Sequence, residues 1–333
     1  MKLSVLLPFY NAENTLLVAI ESILQQTYDA FELVLVNNGS TDQSRLIAQH
    51  LAEQDSRITL INEEERGIVP ALNTGLAYIQ TLYIARMDAD DVMLPTRLEK
   101  QVTCLDNQPS VDLVSCLVHH QSDSENPLGY QKYVEWINTL VTPEALALNR
   151  FVESPLAHPS VMFRRSAIEK WGKYQQGDFP EDYELWLRWL QGGAILAKVA
   201  EPLMIWNDAP TRLSRNDSRY LPKEFYQTKA HYLAQWLQAH NQLHPRVWIW
   251  GAGKLSRKRA RMLAPLGVQI QGFFDVEDHQ RLDVPCLHYS KIPAAPGTVF
   301  IISYVGNWGA REEIKQYLLH LNYEEGKHFI LAS

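Results

Sequence analysis

The sequence predicts an α/β protein in two parts, a mostly parallel sheet flanked by helices followed by a smaller α/β unit. Three observations carry this reading. Short apolar runs alternate with helix-period segments through the first half, the same alternation restarts after Pro245, and 46% hydrophobic composition over 333 residues is enough for about two cores.

Residues 3–7, 32–36, 58–61, 83–87 and 111–118 are short apolar runs and read as strands. Between them, residues 15–25, 41–53, 71–80 and 94–105 have helical spacing, and Ser40 with Gln43, like Thr96 with Glu99, has the form of a capping box. Residues 121–130 are polar and carry Pro127 and Gly129, which predicts a loop. A second block over 160–208 holds a VMF strand, an aromatic helix over 182–191 closed by Gly192 and Gly193, and a strand at 203–206. The helix over 218–239 reads as a connector. From Pro245 the order is strand 247–250, helix 256–266, strands 270–275 and 299–303, helix 311–321 and an apolar end at 329–331. The expected organisation is a first domain over 1–217, a helical connector over 218–243 and a second domain over 244–333, with no internal repeat.

Composition removes several function classes. With 31 basic against 38 acidic residues the net charge is −7, which repels phosphate backbones, so nucleic acid is not an expected partner. Cys104, Cys116 and Cys286 form no CxxC pair, which fits a reducing compartment, and each reads as a small buried apolar side chain. The chain lacks the roughly 18 consecutive apolar residues of a membrane span. Its opening run stops at Pro8, Tyr10 and Asn11, short of a signal peptide. The expected location is the cytosol, with peripheral contact at the inner face of the membrane left open.

The segment YIARMDADD ends an apolar strand in three carboxylates, Asp88, Asp90 and Asp91. Ligands of open α/β sheets bind beyond the carboxyl ends of the strands, and clustered oxygens there suit a hard divalent cation held together with substrate phosphates. The competing reading is a solvated acidic turn in which Asp91 caps the next helix.

Six blocks in order, SVLLPFYNAENTL, FELVLVNNGSTD, GIVPALNTGL, YIARMDADD, HPSVMFRR and FPEDYELWLRWL, together resemble the inverting family 2 glycosyltransferases of the GT-A fold, across roughly residues 1–215. The resemblance implies a GT-A type sheet and transfer of a sugar from a nucleotide-diphosphate donor, with a UDP-sugar favoured, to a glycan or lipid-linked acceptor in cell-surface polysaccharide synthesis. It places Tyr10, following Pro8, near the nucleotide base, though strand-end packing would also account for Tyr10. Where the family usually has Asp-Asp-Gly-Ser, this chain has Asn37 and Asn38. Asn38 takes the base-contacting position and can both accept and donate there, which leaves the base open. The resemblance makes Asp90 a ligand of Mg²⁺ or Mn²⁺ and turns Asp88 toward ribose or the metal, with Asp91 structural.

On the acceptor side, Glu181-Asp182 resembles the family's ED motif, with Asp182 as the catalytic base and Glu181 orienting the loop or contacting acceptor. At a helix start Asp182 is expected to be held ionised by the helix N-terminus, or else simply to cap the helix. His158 falls in the acceptor-side block, where a structural histidine is the alternative. Trp186 and Trp189 read as core, with one of them a candidate sugar-stacking wall. Arg212 and Arg215, in TRLSRND, are placed to close over the diphosphate or to form surface ion pairs.

The second unit opens with VWIWGAGKLSRKRA. Gly251 and Gly253 lie between a strand and a helix, and Asp275 ends the next strand 22 residues after Gly253. This resembles the Rossmann-like modules paired with sugar-modifying enzymes, although Ser256 stands where a third glycine would, and it marks a candidate second ligand site. The alternatives to a metal-dependent glycosyltransferase are an NAD-dependent oxidoreductase using the Gly251 turn and a non-catalytic nucleotide-sugar-binding scaffold.

Overall fold

A computed structural model describes residues 1–122, 128–208, 212–277, 282–307 and 309–333. They form two compact units, residues 1–146 with 156–218 and residues 147–155 with 219–333. Up to residue 218 the chain order is β1 (Leu3–Phe9), α1 (Leu16–Leu24), β2 (Phe31–Asn37), α2 (Ser44–Gln54), β3 (Ile58–Asn62), α3 (Ile68–Tyr78), β4 (Tyr83–Arg86), β5 (Val92–Met93), α4 (Arg97–Asn107), β6 (Leu113–Gln121), α5 (Leu128–Thr139), α6 (Pro143–Leu148), β7 (Met162–Arg164), α7 (Arg165–Trp171), α8 (Glu181–Gln191), β8 (Leu196–Asn207) and α9 (Leu213–Asn216).

The eight strands lie in one sheet in the order β3-β2-β1-β4-β7-β6-β8-β5. β1, β2, β3 and β4 run parallel, as do β6 and β8, whereas β7 and β5 oppose their neighbours. All seven residues of β1 are buried, as expected of a parallel strand covered on both faces. Helix α3 approaches this layer closely: a Cβ on Gly75 would overlap Leu6 Cδ1 and meet Val36 Cγ2 at 3.1 Å. Gly75→Ala is therefore expected to destabilise the first unit by about 1–3 kcal/mol, despite the gain in helix propensity of roughly 0.5–1 kcal/mol, and a urea midpoint measures it.

Several local expectations are corrected. α5 begins at Leu128, inside the stretch read as a loop. Its Val134 and Ile137 pack with Cys116, Val118 and Trp206, and the polar segment ahead of the helix hid its apolar face. Residues 123–127, with Pro127, lie outside the described residues. Ser40 caps nothing: α2 starts at Ser44 after Asp42 accepts from the Ser44 amide, and the Ser40 hydroxyl accepts from the Asn11 amide. Thr96 does precede α4, but without a side-chain cap, because Glu99 accepts from Thr27 instead. Of the cysteines only Cys116 is buried, Cys104 and Cys286 being half-buried, and no disulfide joins them.

In the second unit the order is α10 (Pro222–His240), β9 (Arg246–Trp250), α11 (Lys254–Arg261), β10 (Gln269–Asp275), β11 (Cys286–His288), β12 (Ile301–Ser303), α12 (Ala310–His320) and β13 (Phe329–Leu331). Its five strands form a smaller all-parallel sheet in the order β11-β10-β9-β12-β13. Ile249, Phe274, Ile302 and Leu318 are among its buried residues, and Trp236 of α10 meets Phe151 edge to face at 5.9 Å. Among the described residues no helix is long and apolar enough to cross a membrane.

Candidate active site

Because β1, β2 and β4 are parallel, their carboxyl ends open on one edge of the sheet, the edge at which such sheets bind ligands. Pro8 is buried in β1; it is tolerated there because the ladder with β4 runs only from Leu3 to Leu6. Tyr10 follows the strand and is 48% exposed, so it is not packed into the core. The Arg66 guanidinium lies 4.8 Å from its ring and donates to its hydroxyl at 2.6 Å. Asn38 is buried with both ends of its amide in use. Its oxygen accepts from the Gly67 amide at 2.8 Å, and its nitrogen donates to the Glu65 carbonyl at 2.7 Å. That amide ties β2 to the start of α3.

The next strand end gathers charge. Carboxylate oxygens of Asp88, Asp90 and Asp91 all lie within 4.8 Å of one another. β8 holds their loop: the Asn207 amide donates to Asp91 Oδ1 at 2.8 Å, and its side chain donates to the Asp90 carbonyl at 2.7 Å. Asp91 is therefore not a helix cap but a buried member of the cluster, and its Oδ2 has no hydrogen-bond partner among the described residues. Burial, with repulsion from Asp88, pushes Asp90 up to about 6. Burial, with Asp88 and Asp90, also drives Asp91 well above the usual carboxylate range. Crowded hard oxygens, one of them without a hydrogen-bond partner, are a donor set that fits Mg²⁺ or Mn²⁺.

Two arginines face this cluster. Arg86, buried on β4, forms an ion pair with Asp88 at 2.5 Å. Arg212 donates to the Tyr130 hydroxyl at 2.9 Å, and its guanidinium lies 4.7 Å from the Trp206 ring. Burial works against its charge, but Tyr130, Asp91, Asp88 and Asp90 outweigh burial and hold it firmly protonated. Arg215 is engaged elsewhere, in a two-pronged pair with the buried Asp208 at 3.0 and 2.5 Å. Thr211, between these elements, lies outside the described residues.

On the acceptor side, Pro180 occupies the cap position of α8, Glu181 is buried and Asp182 is half-buried in the first turn. Asp182 does not cap the helix. Its Oδ1 accepts from the adjacent Tyr183 amide at 2.7 Å. The helix N-terminus does not keep it an ordinary carboxylate either: desolvation, then the neighbouring Glu181 charge, push it up to about 7. His158 is buried, with Nε2 2.7 Å from the Tyr174 hydroxyl, and burial together with Arg86 holds it well below its usual range, hence neutral. Tyr174→Phe is expected to leave that ring nitrogen unpaired and to cost about 1–3 kcal/mol, read as a lowered melting temperature. Trp186 and Trp189 are fully buried, so neither is a sugar-stacking wall.

Residues 4–172, half of the chain, match Glycosyl transferase family 2. The chain belongs to that family. The amylovoran biosynthesis glycosyltransferase AmsE of Erwinia amylovora is 33% identical over 204 residues, covering 60% of this chain and 74% of that one. The O-antigen biosynthesis glycosyltransferase WbnJ of Escherichia coli is 33% identical over 190 residues, covering 56% and 70%. Against the bifunctional glycosyltransferase pgtA of Dictyostelium discoideum the identity is 31% over 228 residues, but the chain spans only 29% of that protein's length. The crystal structure of S. aureus TarS 1–349 in complex with UDP-GlcNAc superposes with a TM-score of 0.54 at 16% identity, covering 80% of this chain and 71% of that one. The chain is thus a glycosyltransferase with GT-A-like architecture and relatives in polysaccharide and O-antigen biosynthesis.

In the second unit of this family 2 glycosyltransferase, Asp275 is bound to the turn that holds Gly251 and Gly253. Asp275 Oδ2 accepts from the Ala252 amide, and its Oδ1 accepts from the Val276 amide at 2.7 Å. In the catalytic unit the sequence reading missed Arg66, Arg86, Tyr130 and the cluster role of Asp91. Only the Arg in ARMDADD carried a signal, a cation beside three carboxylates on a strand otherwise apolar.

Proposed function

We propose that the protein is a divalent-metal-dependent, inverting glycosyltransferase. It would move a sugar from a nucleotide-diphosphate donor to a hydroxyl of a glycan or lipid-linked acceptor during cell-surface polysaccharide synthesis, on the cytoplasmic side of the membrane. The observation that carries this reading is the pairing of a carboxylate triad at the end of β4 with a separate carboxylate on α8, raised to about 7.

Asp88, Asp90 and Asp91 would hold Mg²⁺ or Mn²⁺, which when bound supplies positive charge against the diphosphate leaving group. Arg212, kept protonated by the same acids, adds a second cation at that end. Tyr10 and Arg66 offer an exposed ring and guanidinium for the base, whereas Asn38 shapes the loop beneath them. Asp182 accepts the proton of the acceptor hydroxyl as its oxygen attacks the anomeric carbon, and the raised carboxyl is matched to that task near neutral pH. Glu181 sets the charge environment of Asp182. Residues 1–217 are read as the catalytic domain, 218–243 as a helical connector and 244–333 as a Rossmann-like module that docks or binds rather than transfers hydride. The strand order of its sheet supports the Rossmann-like part of that reading.

The test is hydrolysis and transfer over a panel of nucleotide sugars with Mn²⁺, led by UDP-sugars, with the product anomer read by NMR. Metal-dependent turnover with inversion is expected. Turnover of no member of the panel, or retention at the anomeric carbon, would overturn the proposal.

A further inference from the structure

We infer that Arg86 is a positioning residue for the donor site, a buried guanidinium that fixes the Asp88 carboxylate in the direction needed by the nucleotide-sugar. The inference rests on the donor reading above and extends it to a residue outside the acid motif. Arg86 is 3% exposed and held at both ends of its own peptide: its amide donates to the Val161 carbonyl at 2.9 Å, and its carbonyl accepts from the equally buried Arg97 at 2.9 Å. The backbone at the end of β4 is thereby anchored to the β7 side of the sheet and to α4.

From this fixed base the side chain reaches Asp88 Oδ2 at 2.5 Å. Asp88 is half-buried, and one of its oxygens is committed to a cation that cannot be deprotonated at any working pH. A carboxylate with one oxygen held against a buried cation is left with the other to offer, which is the preorganisation a ribose hydroxyl or a phosphate-bound cation requires. Arg86 Nε and Nη1 are both buried with no hydrogen-bond partner among the described residues, so the contact of Nη1 to Asp88 is an ion pair and the guanidinium is not committed to a purely structural network.

Calorimetry of the full chain with UDP, and in parallel with GDP, each with Mn²⁺, tests this. Arg86→Met is expected to weaken the nucleotide that the wild type binds by about ten-fold or more, whereas Arg86→Lys, which restores a charge but not the planar fork, recovers part of the loss. In an Asp88→Ala background the same Arg86 substitutions should add little further loss, because the group being positioned is gone. Should Arg86→Met fail to fold, Arg86→Lys carries the same cycle. Wild-type affinity in the Arg86 variants, losses that simply add to that of Asp88→Ala, or a Lys variant no better than Met would each overturn the role of Arg86 while leaving the donor reading intact. A wild type that binds neither nucleotide would overturn both.

Discussion

Asp182→Asn is expected to slow sugar transfer by about 10²- to 10⁴-fold while leaving nucleotide affinity close to wild type, the usual worth of a general base. Asn preserves the volume and an acceptor for the Tyr183 amide, so only the basic oxygen is lost. Two pH signatures accompany this. Wild-type turnover should rise through about pH 7, where Asp182 ionises, and the variant should lose that limb. The stability effect has the opposite sign to the activity effect. A carboxyl raised from 3.8 to about 7 binds its proton more tightly folded than unfolded, so wild-type stability falls as pH climbs from about 4 to 7. The Asn variant escapes that loss, and its melting temperature should exceed wild type at pH 8 and converge with it below about pH 4. Near-normal transfer with unchanged melting would remove Asp182 from the base role and make Glu181 the next candidate.

Asp90→Ala should abolish metal-dependent donor binding, a loss of about 100-fold or more when Mn²⁺ and donor are titrated together, because truncating one partner of a buried charged site costs roughly 3–5 kcal/mol. The cluster explains the size. Asp90 is raised to about 6 by burial and by Asp88, so its charge is only partly compensated by Arg212 and Arg86. The apo variant should be no less stable than wild type, since a repelled carboxylate has been removed. Mn²⁺-dependent donor affinity that survives the substitution would move the metal site elsewhere.

Much of this was legible along the chain. The alternation of apolar runs with helical spacing located β1, α1, β2 and β4, because a continuous apolar run and a period of 3.6 are properties of neighbouring residues. DADD and ED were readable for the same reason: a strand end and a helix start are local events that put their carboxylates on display. The loop expected at Tyr130 failed where a polar approach concealed a helix whose apolar face only its packing on β6 explains.

By itself, then, the sequence determined the α/β class, the order of the main elements and the identity of the acids at the two strand and helix ends. Tertiary structure decided what those acids are. Asp91 entered the cluster because Asn207, 116 residues away, took one of its oxygens and burial isolated the other. Asn38 came to tie β2 to the start of α3 because the Gly67 amide and Glu65 carbonyl closed on both ends of its side chain. Asp182 became a carboxyl near 7 rather than one held ionised by a helix, because desolvation and a second acid beside it outweigh a helix terminus. Periodicity is encoded between neighbours in the chain, but dielectric, charge proximity and the spending of a hydrogen bond depend on partners that only folding brings within a few ångströms.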